Sequence, residues 1–143
     1  MMATKPLTYT IAACGLSDMG LVRENNEDVW AVDCKENVFL LADGMGGHSA
    51  GEIAAKEAVG ALQNLIKSRF GEKKTKKNIH RIRELIHEII QEVNLVVYQK
   101  SRKDVELRGM GTTLCCVYFH EERFVFAHVG DSRIYHLRGN NLK

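Results

Sequence analysis

The sequence predicts an α+β fold with sheets and helices in separate layers. Three observations carry this: strand-like alternation near the amino end, two long segments with helical apolar spacing in the middle, and a return to strand patterns from Thr112 onward. The chain has 143 residues, 45% hydrophobic and 27% charged, which suits a globular core and excludes a disordered tail. We read residues 1–143 as a single domain. No apolar run approaches the roughly 20 residues of a membrane helix. With 20 Lys+Arg against 18 Asp+Glu, the net charge of +2 gives no global field for nucleic acid or anionic lipid.

Alternation of Tyr9, Ile11 and Ala13 predicts a first strand. Ile11-Ala12-Ala13-Cys14 resembles a lipoprotein cleavage box, but the preceding apolar stretch is short and broken by Thr8 and Thr10. A polar segment follows from Ser17 to Asp28. Strands are then expected over Val29 to Cys34 and Val38 to Ala42, on either side of Lys35-Glu36-Asn37. Asp43-Gly44-Met45-Gly46-Gly47-His48 reads as a glycine-rich turn, and Ser49 with Glu52 forms the capping-box pattern that announces a helix. Ala54, Ala58, Ala61, Leu62, Leu65 and Ile66 share one face of it, and Gly71 ends it.

Glu72 to Lys77 reads as a solvated connection. As a nucleic-acid patch, Lys73 to Lys77 lacks interleaved aromatics and a basic partner face. A second helix carries Ile79, Ile82, Ile86, Ile89, Ile90, Val93 and Val97 on one stripe, as core positions. Leu114 to Phe119 and Phe124 to Val129 bracket a short turn, His120 to Arg123. Gly130-Asp131-Ser132-Arg133 interrupts before a strand over Ile134 to Leu137. Gly139-Asn140-Asn141 is a hairpin turn, but the two residues beyond it are too few for a return arm, so the architecture is expected to stop midway.

The four cysteines are Cys14, Cys34, Cys115 and Cys116. None forms a C-x-x-C pair, and the adjacent two would face opposite sides of a strand. This predicts buried thiols in a reducing, cytoplasmic setting rather than zinc ligands or disulfides.

The chemistry-bearing residues gather around the first hairpin. A short loop at Lys35-Glu36-Asn37 sets Asp28 opposite Asp43 or Gly44, with Glu27 one step away. Like charges directly across a strand pair cost several tenths of a kcal/mol. Two readings of that cluster stand: a hard cation such as Mg²⁺ or Mn²⁺ between oxygen ligands, the Gly44 carbonyl among them, or a solvated acidic hairpin end. Asp33 is expected at the surface beside the turn. Asp131, just after an apolar strand, either points into the same cleft or begins a turn. Arg23 can grip a phosphate bidentately or stand as a surface residue. A dinucleotide loop is excluded, since Gly44 to Gly51 lacks G-x-G-x-x-G spacing and no Walker lysine is present.

Arg23 through Asp28, Asp43 to His48, Gly111-Thr112-Thr113 and Gly130-Asp131-Ser132-Arg133 follow one another in the order and approximate spacing of one family. The chain resembles the metal-dependent 2C-type serine/threonine protein phosphatases in their compact bacterial form, from about Tyr9 to Lys143. The resemblance implies a four-layer αββα sandwich with a cleft holding two Mn²⁺ or Mg²⁺ ions and a weaker third. It implies that Asp43 bridges both metals, that Glu27 and the Gly44 carbonyl hold one of them, and that Asp131 helps hold the third. Asp28 would orient metal-bound water and Arg23 would grip the substrate phosphate. The implied partner is a protein phosphorylated on serine or threonine, the product of an opposing kinase; neither nucleic acid nor membrane is implied.

Two departures stand out. Many relatives carry a histidine directly after the Asp-Gly pair, where this chain has Met45; His48, three residues on, is the candidate general acid. Family members also continue well beyond this length with further metal-binding aspartates, whereas no aspartate follows Asp131 here. The expectation is therefore the amino-terminal portion of a phosphatase domain, its carboxy-terminal part missing. The alternative of a different class is a truncated, non-catalytic pseudophosphatase that binds a phosphoprotein or regulatory partner. An unfinished sheet edge would invite dimerisation.

Overall fold

The computed structural model describes residues 9–33, 35–47, 49–71 and 78–143. Its chain order is β1 (Asp28–Asp33), β2 (Val38–Met45), α1 (Ala50–Gly71), α2 (Ile79–Lys103), β3 (Gly111–Thr112), β4 (Leu114–His120), β5 (Arg123–Val129), β6 (Leu137–Arg138) and β7 (Asn141–Leu142). A five-stranded sheet has the order β1-β2-β4-β5, with β3 paired to the end of β2; β6 and β7 form a separate hairpin. All these pairings are antiparallel. The helices and the sheet are two of the layers that the αββα architecture requires.

The core lies between the helix pair and one face of the sheet. Alternation along β2 buries Val38, Leu40 and Ala42, while Leu41, Asp43 and Met45 are exposed. Leu114, Cys116 and Tyr118 of β4 join the same face. The small side chains Ala50, Ala54, Ala55 and Ala58 let α1 lie close to the sheet, and Leu62 and Ile66 fill the layer further along. Asn78 caps α2, its side chain accepting from the Arg81 amide at 2.9 Å. The α2 stripe Ile82, Ile86, Ile89, Ile90, Val93 and Val97 is buried. Each fully buried isoleucine or leucine contributes about 1.5–3 kcal/mol relative to exposure.

Several expectations are corrected. Residues 9–19 form no strand, although Tyr9, Ile11 and Ala13 alternate. Alternation says which side chains share a face and nothing about a neighbour; here Tyr9 donates to the carbonyl of Glu121, and Gly15 lies against the Trp30 indole. The glycine-rich turn begins later than expected, because Gly44 and Met45 continue β2 by pairing with Thr112 and Gly111. The reversal falls to Gly46 and Gly47, both with positive φ. Glu52 pairs with Lys56 one turn on instead of closing a capping box.

Residues 134–136 lie outside any strand, and the final hairpin does form. Gly139 at φ +57° makes the reversal, and His136 and Lys143 exchange two backbone hydrogen bonds at 3.0 Å, so a very short return arm suffices. Cys115 and Cys116 are buried and free as expected, but Cys14 is exposed, because its segment packs into no sheet. Among the described residues no helix is long and apolar enough to cross a membrane. Cys34, His48 and the Glu72–Lys77 connection lie outside the described residues.

Candidate metal and phosphate site

The site begins with the register of β1 and β2, which sets Asp28 directly opposite Asp43. Asp33 closes the other end of that hairpin. Rather than lying free at the surface, it is largely buried, accepts from the Lys35 and Glu36 amides at 3.1 and 3.2 Å, and pairs with Lys67 at 3.1 Å. The Lys67 hydrogen bond, together with the two amides, holds its carboxyl below the usual range against a smaller opposing effect of burial.

Asp28 is oriented from the polar segment before it. The Ser17 hydroxyl donates to Asp28 Oδ2 at 2.8 Å and accepts from Asn26 Nδ2 at 2.8 Å. Asn26 Oδ1 in turn accepts from the Asp28 amide at 3.0 Å. Asp43 is fixed through its backbone. Its amide donates to Thr113 Oγ1 at 2.9 Å, and its carbonyl accepts from the Thr113 amide at 2.9 Å and from Thr112 Oγ1 at 3.0 Å.

Although Asp43 is an exposed residue, partial loss of water around its carboxyl raises that group above its ordinary value, and the charge of Asp28 raises it further. Arg23 opposes this, and Asp131 adds a smaller upward push. The structure thus brings Asp28, Arg23 and Asp131 each within electrostatic reach of Asp43. Arg23, Glu24, Asn25 and Glu27 line an open depression of about 320 Å³ beside them.

Glu27 lies on the side of β2 that faces α1. Its carbonyl accepts from the Gly44 amide at 3.1 Å, and its carboxylate rests on Gly51 at the start of α1. An ideal Cβ on Gly44 would stand 2.0 Å from the Gly51 carbonyl oxygen, so glycine is required for β2 and α1 to approach this closely. Asp131 follows Gly130, whose φ is +91°. The adjacent Ser132 hydroxyl lies 2.8 Å from Thr113 Oγ1.

The acidic oxygens of Asp28, Asp43 and Asp131 suit a hard divalent cation, and after desolvation the neighbouring charge of Asp28 is the largest cause that raises the Asp43 carboxyl. Among the described residues, no three His, Cys, Asp or Glu side chains converge into a closed metal cluster. The donors fit such an ion by their chemistry and leave further positions to other oxygens. Ser17 and Gly51 were not singled out from sequence, and Asn26, Thr113 and Ser132 entered only within their motifs. Asn26 bonds the Asp28 amide only two residues on, a local pattern that the sequence could have offered; Thr113 and Ser132 meet partners distant in the chain, and Gly51 meets Glu27 only once α1 has packed.

The protein phosphatase 2C family model matches residues 22–143, and the chain belongs to this family. It is 36% identical over 130 residues to the serine/threonine phosphatase stp of Listeria welshimeri, covering 89% of this chain and 50% of that protein. A crystal structure of the Mycobacterium tuberculosis serine/threonine phosphatase PstP superposes with a TM-score of 0.72 at 35% identity, covering 87% of this chain and 48% of that one. The catalytic domain of PstP in complex with two manganese ions gives a TM-score of 0.69 at 34% identity, with coverages of 86% and 49%. The chain spans about half the length of these relatives.

Proposed function

We propose that this chain carries the amino-terminal half of a metal-dependent phosphatase site that hydrolyses phosphoserine and phosphothreonine in proteins. The observation that carries the reading is the pairing of Asp28 with Asp43, with Asp131 and Arg23 in electrostatic reach. Glu27, Asp43, Asp131 and the Gly44 carbonyl would hold divalent Mn²⁺ or Mg²⁺. Such ions, when bound, make water a usable nucleophile near neutral pH and offset phosphoryl charge.

The residues of the chain have separable tasks in this reading. Arg23 binds two phosphoryl oxygens through its planar fork, and that charge grows in value as the transition state forms. Asp28, fixed by Ser17 and Asn26, accepts a hydrogen bond from the attacking water and so aims it at phosphorus. The thiols offer no competing nucleophile in the core, since burial pushes Cys116 up to about 12. The substrates in this reading are cytoplasmic phosphoproteins made by an opposing serine/threonine kinase. Pairing of two copies along a sheet edge accompanies it, and sedimentation as a strict monomer at all concentrations would remove that element.

A second reading, phosphoprotein binding without turnover, is favoured by the lack of a closed three-acid cluster among the described residues. Phosphate release from a phosphothreonine peptide, with Mn²⁺ and then with EDTA, separates the two. Release abolished by EDTA supports hydrolysis. Peptide binding without release, weakened by Arg23→Ala, supports the binding module instead.

A further inference from the structure

We infer that Thr113, acting with Ser132, is a positioning residue that locks the Asp131 loop to the Asp43 strand and so sets the spacing of the two carboxylates. The inference deepens the proposed metal-dependent site and rests on that reading. Thr113 stands between β3, which pairs with the end of β2, and β4, whose Leu114 faces Val129 at the exit of β5. Its backbone amide and its hydroxyl both bind the backbone of Asp43, each at 2.9 Å. The Asp43 N–H occupies one lone pair of Thr113 Oγ1. Either the hydroxyl proton or the remaining lone pair serves Ser132 Oγ at 2.8 Å, whichever of the two hydroxyls donates.

The methyl branch has a second task. An ideal Cβ on Gly130 would lie 2.8 Å from Thr113 Cγ2, so the methyl sets how closely the loop backbone can approach. Gly130 holds φ +91° at that contact, a conformation suited to glycine. One side chain therefore ties β2 through its oxygen and seats the loop through its carbon. Asp131 lies between Gly130 and Ser132, the two residues that Thr113 touches, and has no separate freedom to leave Asp43 while both contacts hold. Valine keeps the carbon branches and loses the oxygen. Serine keeps the oxygen and loses the methyl.

The test is Mn²⁺ titration of the 143-residue chain by calorimetry, beside amide exchange at Asp43 and backbone relaxation at Gly130 to Ser132. Partners that orient metal ligands are worth about 10–100-fold in affinity. Thr113→Val should weaken Mn²⁺ binding by about tenfold or more, expose the Asp43 amide to exchange and loosen the loop. Thr113→Ser should restore most of the affinity, and Ser132→Ala, outside the sheet, should loosen the loop without exposing the Asp43 amide.

Wild-type affinity in Thr113→Val, or a rigid loop in both Thr113→Val and Ser132→Ala, would overturn the inference. If Thr113→Val does not fold, Ser132→Ala decides alone: unchanged Mn²⁺ affinity and an unchanged loop would overturn it. If the wild-type chain binds no Mn²⁺, the metal reading falls by itself, and exchange and relaxation still decide whether Thr113 locks the loop.

Discussion

The carboxylate of Glu27 rests on the bare Cα of Gly51: an ideal Cβ there would stand 2.7 Å from Glu27 Cδ and 2.8 Å from each carboxylate oxygen. The group displaced by such a Cβ is the far end of a flexible side chain, so it can swing away at little cost. Alanine also suits a helix better than glycine by about 1 kcal/mol. Gly51→Ala should therefore melt at or above the wild-type temperature while Mn²⁺ affinity falls. Loss of stability with unchanged affinity would show that Glu27 has no part in holding the ion. Gly44→Ala should instead fail to fold, because its Cβ would meet backbone.

Asp43 gives the site a pH signature in the absence of metal. Its folded pKa lies above the ordinary 3.8, first through partial desolvation and then through Asp28. Between the two values the folded chain holds a proton that the unfolded chain has released, so stability falls as pH rises through that window. Metal-free Asp43→Asn should thus melt above wild type at neutral pH, with the gap closing below about pH 3. Saturating Mn²⁺ should reverse the order, since ligand at a hundred times its Kd adds about 2.7 kcal/mol to a binding-competent chain. Thermal melts across pH, with and without Mn²⁺, check both statements.

The Asp33–Lys67 pair behaves in the opposite sense. The Asp33 carboxyl is lowered, first by the Lys67 hydrogen bond, so its contribution is complete above about pH 4 and disappears as pH falls through the folded value. Asp33→Asn keeps an oxygen for the Lys35 and Glu36 amides and should cost little, because Lys67 is half exposed. Asp33→Ala also removes the turn acceptor and should cost more, by about 1 kcal/mol. Equal melting of the two variants at neutral pH would mean that the turn bonds carry no weight.

Arg23 should separate phosphate recognition from ion binding. Arg23→Ala is expected to lower phosphothreonine-peptide turnover by about 10²-fold or more, as for loss of one charge-stabilising donor, with Mn²⁺ affinity nearly unchanged. Arg23→Lys should recover only part, since a point charge cannot replace the planar fork. A matching collapse of Mn²⁺ binding in Arg23→Ala would assign the arginine to the architecture of the acidic cluster instead.

Much of this arrangement was legible before any coordinates. The short loop at Lys35-Glu36-Asn37 already set Asp28 across from Asp43 or Gly44, the structure choosing Asp43, and the apolar stripes of α1 and α2 marked the buried faces that the structure shows. What escaped were features that depend on a remote partner. The two residues of β3 carry no periodicity, yet they extend β2 past Asp43. The alternation at Tyr9, Ile11 and Ala13 suggested a strand because pattern alone cannot report an absent ladder. Thr113 and Asp43 meet across 70 positions of sequence, and Glu27 meets Gly51 only after α1 has docked.

The pleat of β4 has an experimental use. Cys116 is fully enclosed on the helix side, while Cys115 belongs to the opposite row with Leu41 and His128. Two consecutive thiols therefore report on different events: alkylation of Cys116 awaits separation of the helices from the sheet, whereas Cys115 needs only a breath on the other side. Mass-resolved labelling of that one dipeptide would time the two layers independently, with Cys14 reacting at once as an internal standard.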